Sequence, residues 1–326
     1  MAQSRLLNPK LFDADVEMIP TRNGYGDALV ELGDTDPRIM VLTGDLSEST
    51  RANGFQKKFP NRFVECGVAE QNMMGIAAGL ALSGKVPFVS SYAVFVPGRN
   101  WDQLRVSVCY TGANVKVAGA HAGISVGPDG ATHQALEDIA ITRVLPNLTV
   151  VVPCDYLETK KATKALAEMV GPAYFRFARE KTAVITTEDT PFEIGKAIVL
   201  REGGDVTIAA CGPLVYEALV ASHLLEKEGV ECEVINCHTL KPFDEQTLAE
   251  SVRKTKSCVT VEEHQITGGL AGAVAETLGR IRPAPIENIG MPNHFGESGE
   301  PDQLLEKYGM KAPHIVAAVK RVMKRK

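Results

Sequence analysis

The strongest constraint on the fold is a series of short apolar runs set between helical stretches: "RIMVLTGD" (38–45), "VPFVSSYAVF" (86–95), "VKVAGAHAG" (115–123), "LTVVVPCD" (148–155) and "AYFRFARE" (173–180). Strands without a polar face must be covered on both sides, so their alternation with helices predicts a parallel sheet between two helical layers. A polar interval, "KTAVITTEDTPFEIGK" (181–196), reads as a linker. A second series follows: "DVTIAACG" (205–212), "ECEVINCHTL" (231–240), "SCVTVEEH" (257–264) and "PIENIGM" (285–291). The chain is therefore expected to be α/β with two domains, 1–190 and 191–326, each a mostly parallel sheet flanked by helices. Its 326 residues suit two cores, and no internal period marks a repeat.

Composition narrows the function. A net charge of −5 and a pI of about 5.9 argue against a general nucleic-acid binder. No apolar run approaches the length of a membrane span, and "MAQSRLLNPK" lacks the layout of a signal peptide. The seven cysteines are odd in number and form no CxxC pair, which fits a reducing cytoplasm.

In open α/β sheets, ligands bind beyond the carboxyl ends of the strands. Asp45, Ser47 and Ser49 fall at such an end, as do Glu70, His121, Asp129, His133 and Arg179. Glu70 opens a helical pattern in "ECGVAEQNMMGIAAGL" (65–80), where a negative charge meets the positive end of the helix dipole. Yet Glu70, Met73, Met74 and Ala77 share one stripe, so two readings stay open: a first-turn acid with a structural role, which spacing alone favours, or an acid on the packed face, costly unless it is paired or used. The loop 119–134 interleaves Gly119, Gly123, Gly127 and Gly130 with two histidines and an aspartate. Three readings stay open there: turn glycines with incidental histidines, a two-His-one-carboxylate metal site, or a grip on a polyhydroxylated substrate. The Gly268–Gly269 turn in "EEHQITGGLAGAV" (262–274) could expose amides to an anion, although that signal is weak alone and a structural turn explains it better.

Three segments in order, "ECGVAEQNMMGIAAGLAL", "PFVSSYAVFVPGRNWDQLR" and "GAHAGISVGPDGATHQALEDIAITRVLPNLTVVVPCD", resemble the thiamine diphosphate enzymes of the transketolase family. The resemblance runs from about residue 20 to the end and covers the family's pyrimidine-binding and C-terminal domains. It implies that Glu70 contacts the aminopyrimidine ring of the cofactor, that Phe95 stacks on that ring, and that Asp45 and Leu46 line the cofactor pocket. It also implies that Arg22, Ser49, His121 and Arg179 hold a substrate phosphate, while Asp129 and His133 contact substrate hydroxyls and His133 assists proton transfer. The sequence departs from the family at Pro97–Gly98, and it contains no "GDG", the motif that holds the metal and diphosphate in full-length relatives.

That absence implies half an active site. The expected function is the C-terminal subunit of a split transketolase, moving a two-carbon unit from a ketose phosphate to an aldose phosphate. A separate N-terminal subunit would hold Mg2+ (or Ca2+) and the diphosphate, in an α2β2 heterotetramer. The alternatives are the β subunit of a 2-oxo-acid dehydrogenase decarboxylating component, a transketolase-like enzyme for a modified sugar, and a non-catalytic relative. No metal ligand is expected on this chain.

Overall fold

The computed structural model describes residues 6–326. Its strands, in chain order, are β1 (Met18–Pro20), β2 (Ile39–Thr43), β3 (Phe63–Glu65), β4 (Val86–Tyr92), β5 (Lys116–Ala120), β6 (Thr149–Val151), β7 (Ala173–Phe177), β8 (Lys181–Ala183), β9 (Ile198–Arg201), β10 (Val206–Ala210), β11 (Cys232–Asn236), β12 (Thr239–Lys241), β13 (Cys258–Gln265) and β14 (Ile286–Met291). They form a seven-stranded sheet of order β12-β6-β7-β5-β4-β2-β3, a five-stranded sheet of order β14-β13-β10-β11-β9, and a two-stranded β1-β8 ribbon. The two larger sheets are mostly parallel, as apolar runs buried on both faces require. Every residue of β5, β7, β10 and β11 is buried.

Three details differ from the sequence reading. The "VPFVSSYAVF" strand stops at Tyr92, and the rest of the run turns away from the sheet. The interval 181–196 is not wholly linker, because its first residues form β8 and pair antiparallel with β1. "ECEVINCHTL" supplies two strands: β11 joins the second sheet, while β12 crosses over and pairs antiparallel with β6 of the first.

The two halves share one interior. A single apolar cluster joins Val89, Val117 and Val150 of the first sheet to Ala209 and Ile235 of the second and to Leu270. Polar side chains cross the same boundary. Buried Arg176 pairs with Asp138 at 3.1 Å and donates to the carbonyls of Ala135 and Glu263, both at 3.2 Å. Tyr174 donates to the same Asp138 carboxylate at 2.6 Å. Glu158, raised to about 7 chiefly by burial, accepts from Cys154 N at 2.7 Å and from Asn236 Nδ2 on β11 at 2.7 Å.

Candidate active site

The carboxyl ends of β2, β3, β4, β5 and β7 point the same way, since these strands run parallel in one sheet. Beyond them lie Asp45, Leu46 and Ser49, then Glu70, Phe95, His121 and Arg179. Arg22 arrives from the first turn of the helix Thr21–Thr35. Thr21 fixes that turn to the end of β7, its hydroxyl accepting from Ala178 N at 2.8 Å and donating to Ala178 O at 3.1 Å.

These positions form two linked clusters. The first is cationic: Arg22 Nη1 donates to the backbone carbonyl of Ser49 at 2.9 Å and lies 3.4 Å from His121 Nε2. His121 sits in the left-handed region at φ 56 and lies on Tyr92 with ring centroids 4.1 Å apart. Burial first, then the fields of Arg22, Arg179, His133 and Arg51, push its pKa down to about 3, so the imidazole is neutral at physiological pH. The same burial and the neighbouring Arg51 and Arg179 lower the Arg22 guanidinium from its ordinary value. Arg22 Nε and His121 Nδ1 are both buried without a hydrogen-bond partner in the chain. Buried polar atoms are nearly always satisfied, so two orphans amid three arginines mark a place for an oxyanion.

Glu70 anchors the second cluster. It is the first residue of the helix Glu70–Leu82 and is 3% exposed, on the same buried stripe as Met73, Met74 and Ala77. Arg99 Nη1 donates to both of its carboxylate oxygens, at 3.0 and 3.1 Å, and Asn100 Nδ2 donates to its backbone carbonyl at 3.3 Å. The Arg99 guanidinium also lies 4.1 Å from the Phe95 ring centre. The guanidinium, flat and edged with N–H donors, thus lies against both the Glu70 carboxylate and the Phe95 ring. Tyr92 connects the clusters, 6.0 Å from Phe95 and 5.9 Å from His133 between ring centroids. Asp45 and Leu46 occupy the turn after β2: Asp45 N donates to Glu65 Oε1 at 2.7 Å and Leu46 N to Thr43 Oγ1 at 3.3 Å.

The glycines of loop 119–134 serve close packing. A Cβ on Gly119 would meet Tyr174 Oη at 2.4 Å, one on Gly123 would meet Glu263 Oε1 at 2.2 Å, and one on Gly130 would meet Ser298 Oγ at 2.6 Å. Asp129 turns to Arg179, with Oδ1 3.1 Å from Nη1, while His133 and Phe95 meet in a T-shaped contact with ring centroids 5.5 Å apart. The two histidines and the aspartate do not converge on a metal, and among the described residues no cluster of three such ligands does. The Gly268–Gly269 turn holds no free anion site either. The chain's own Glu262 fills it, accepting from Leu270 N at 2.7 Å and Ala271 N at 2.8 Å. Departure from the family at Gly98 has a local cause, since a Cβ there would meet Val94 O at 2.2 Å.

Sequence reasoning passed over Arg51, Tyr92 and Arg99. The signal for Arg99 was four residues past Phe95 in "FVPGR", and that for Arg51 was two past Ser49 in "SESTR".

Comparison with known proteins places this architecture. Residues 17–184 match the family model of the transketolase pyrimidine binding domain, and residues 195–315 match that of the transketolase C-terminal domain. The chain belongs to the transketolase family. Within it, a split gene transketolase solved as an inactive beta4 tetramer is 48% identical, with a TM-score of 0.88 over 94% of this chain and 99% of that one. A Methanocaldococcus jannaschii protein provisionally named a transketolase C-terminal section is 46% identical over 93% of this chain and 96% of its own length. The 6-deoxy-6-sulfo-D-fructose transketolase subunit SqwH of a Clostridium species is 42% identical over 97% of this chain and 98% of its own length.

Proposed function

We propose that this chain supplies the ring-binding and substrate-binding side of a transketolase active site, completed by an N-terminal subunit that holds the diphosphate and Mg2+ (or Ca2+). The working assembly is then two such pairs, α2β2, with twofold symmetry. Glu70 and Phe95 hold the aminopyrimidine ring, with Asp45 and Leu46 along its pocket. When bound, thiamine diphosphate supplies the nucleophilic carbon that carries a two-carbon unit from a ketose phosphate to an aldose phosphate. Arg22, Ser49, His121 and Arg179 bind the substrate's phosphate, and Asp129 and His133 contact its hydroxyls, with His133 moving a proton at the reacting carbon.

The observation that carries this reading is the pair of buried orphans, Arg22 Nε and His121 Nδ1, in a cluster with Arg179 and Arg51. A second reading has the same site take a sulfonated sugar, because the SqwH relative is named for one and a sulfonate meets the same donors.

The test is co-expression with an N-terminal subunit carrying "GDG", followed by two-carbon transfer assays with phosphorylated, sulfonated and unsubstituted ketoses. Arg179→Ala should raise KM for the anionic sugars more than for the unsubstituted one. An equal rise for all of them removes Arg179 from the anion site. Glu70→Gln should abolish transfer while leaving the urea midpoint in place, and retained activity refutes the role of Glu70. Full turnover by the isolated chain refutes the division between subunits.

A further inference from the structure

Arg99 is unusual among the site's charged residues because both of its contacts are to groups assigned to another ligand. Its Nη1 spans the two oxygens of Glu70, and its guanidinium plane covers Phe95 at 4.1 Å. We infer that Arg99 is a placeholder for the aminopyrimidine ring: it occupies the slot between Glu70 and Phe95 in the isolated chain and must swing out before a ring enters. This inference rests on the proposed roles of Glu70 and Phe95.

The asymmetry of exposure favours this direction of movement. The Glu70 side chain is 2% exposed, whereas that of Arg99 is 48% exposed. Glu70 is held at the first turn of its helix, with Asn100 bonded to its carbonyl, so it stays. Arg99 is long, and its head is already half in water, so it regains full hydration by rotating away. Without a partner, the buried carboxylate would be left unsatisfied, and Arg99 removes that cost while the slot has no ring in it. A guanidinium is suited to the purpose: it is planar, carries N–H donors at its edge and stacks on aromatic faces, as an aminopyrimidine does. Arg99 and the ring thus compete for one carboxylate and one aromatic face. Apparent ring affinity is lowered by the fraction of chains in which Arg99 is seated.

The full chain is used with two readouts. The first is modification of Glu70 by a water-soluble carbodiimide and an amine, followed by mass spectrometry, which involves no cofactor. The second is binding of 4-amino-2-methylpyrimidine, followed by ligand-observed NMR. Arg99→Ala should speed Glu70 modification several-fold and tighten binding by about tenfold. Adding Glu70→Gln should abolish that gain. Arg99→Lys keeps a cation for Glu70 and loses the flat plate on Phe95, so it should fall between wild type and alanine in both measurements. Unchanged modification in Arg99→Ala overturns the inference, because Arg99 then does not cover Glu70. Weaker ring binding in Arg99→Ala also overturns it and makes Arg99 part of the bound site. Faster modification with no ring binding in any variant overturns it by a different route, locating the failure in the assignment of Glu70 and Phe95.

Discussion

His121 gives the most quantitative test of the cationic cluster. Its pKa is about 3 in the folded chain, against an ordinary value of 6.5 that the unfolded chain keeps. Between these values the unfolded state binds a proton that the folded state refuses, so folding stability contributed by this group falls as pH drops below 6.5. Each unit is worth about 1.4 kcal/mol, which makes the loss about 2 kcal/mol at pH 5. His121→Gln keeps a polar group facing Arg22 and removes the titration. The neighbours that weigh most on it, Arg22, Arg179, His133 and Arg51, all oppose its protonation. His238, held near 4 by burial, titrates equally in both proteins and cancels from the difference. Urea unfolding of wild type and His121→Gln, at about pH 8 and again at about pH 5, measures that difference. The variant should gain about 2 kcal/mol on wild type over that interval. Parallel pH profiles would show that His121 protonates freely in the folded chain, and the neutral-imidazole description of the anion site would be wrong.

Other expectations follow from the same geometry. Arg176→Met leaves the buried Asp138 without its cation and should cost about 3–5 kcal/mol in urea unfolding; pairing it with Asp138→Leu should recover much of the loss. Glu262→Ala orphans the amides of Leu270 and Ala271 and should destabilise by about 2 kcal/mol or more, with Glu262→Gln intermediate. Gly75 and Gly79 lie on the exposed face of the Glu70–Leu82 helix, where an added Cβ meets nothing within 4 Å. Alanine at either position should therefore stabilise the isolated chain by about 0.5–1 kcal/mol, read as a raised thermal midpoint.

Much of this was legible in the sequence because burial on both faces leaves a plain signature. The runs containing Val117, Phe175, Ile208 and Val234 have little choice but to be inner strands of a covered sheet. Spacing left Glu70 undecided between a first-turn acid with a structural role and an acid in phase with Met73, Met74 and Ala77, and the structure has it on the buried stripe. What stayed hidden depends on side-chain reach and distant register. Arg99 finds Glu70 across 29 residues through a flexible stem, a choice no local pattern encodes. Glu262 reaches the amides of its own following helix, so the turn at Gly268–Gly269 resembled a vacancy only while that carboxylate's direction was unknown. β12 is three residues long, and its partner β6 lies outside the sheet that β11 enters.

That short strand imposes an order on biosynthesis. Val152 N donates to His238 O at 2.7 Å beside it, and Lys241 Nζ reaches back to Arg143 O at 2.9 Å, so the far side of β6 is finished by residues made long after it. β6 can join the sheet only once its other neighbour β7 is made, and at about 5–20 residues per second the stretch from Phe177 to Lys241 takes roughly 3–13 s to synthesise. Throughout that interval the nascent chain carries Thr149–Val151 as an open β edge, a template for unwanted pairing with neighbouring chains. A ribosome stalled before Lys241, or a message truncated there, therefore releases a first sheet that lacks its last strand and is prone to aggregate.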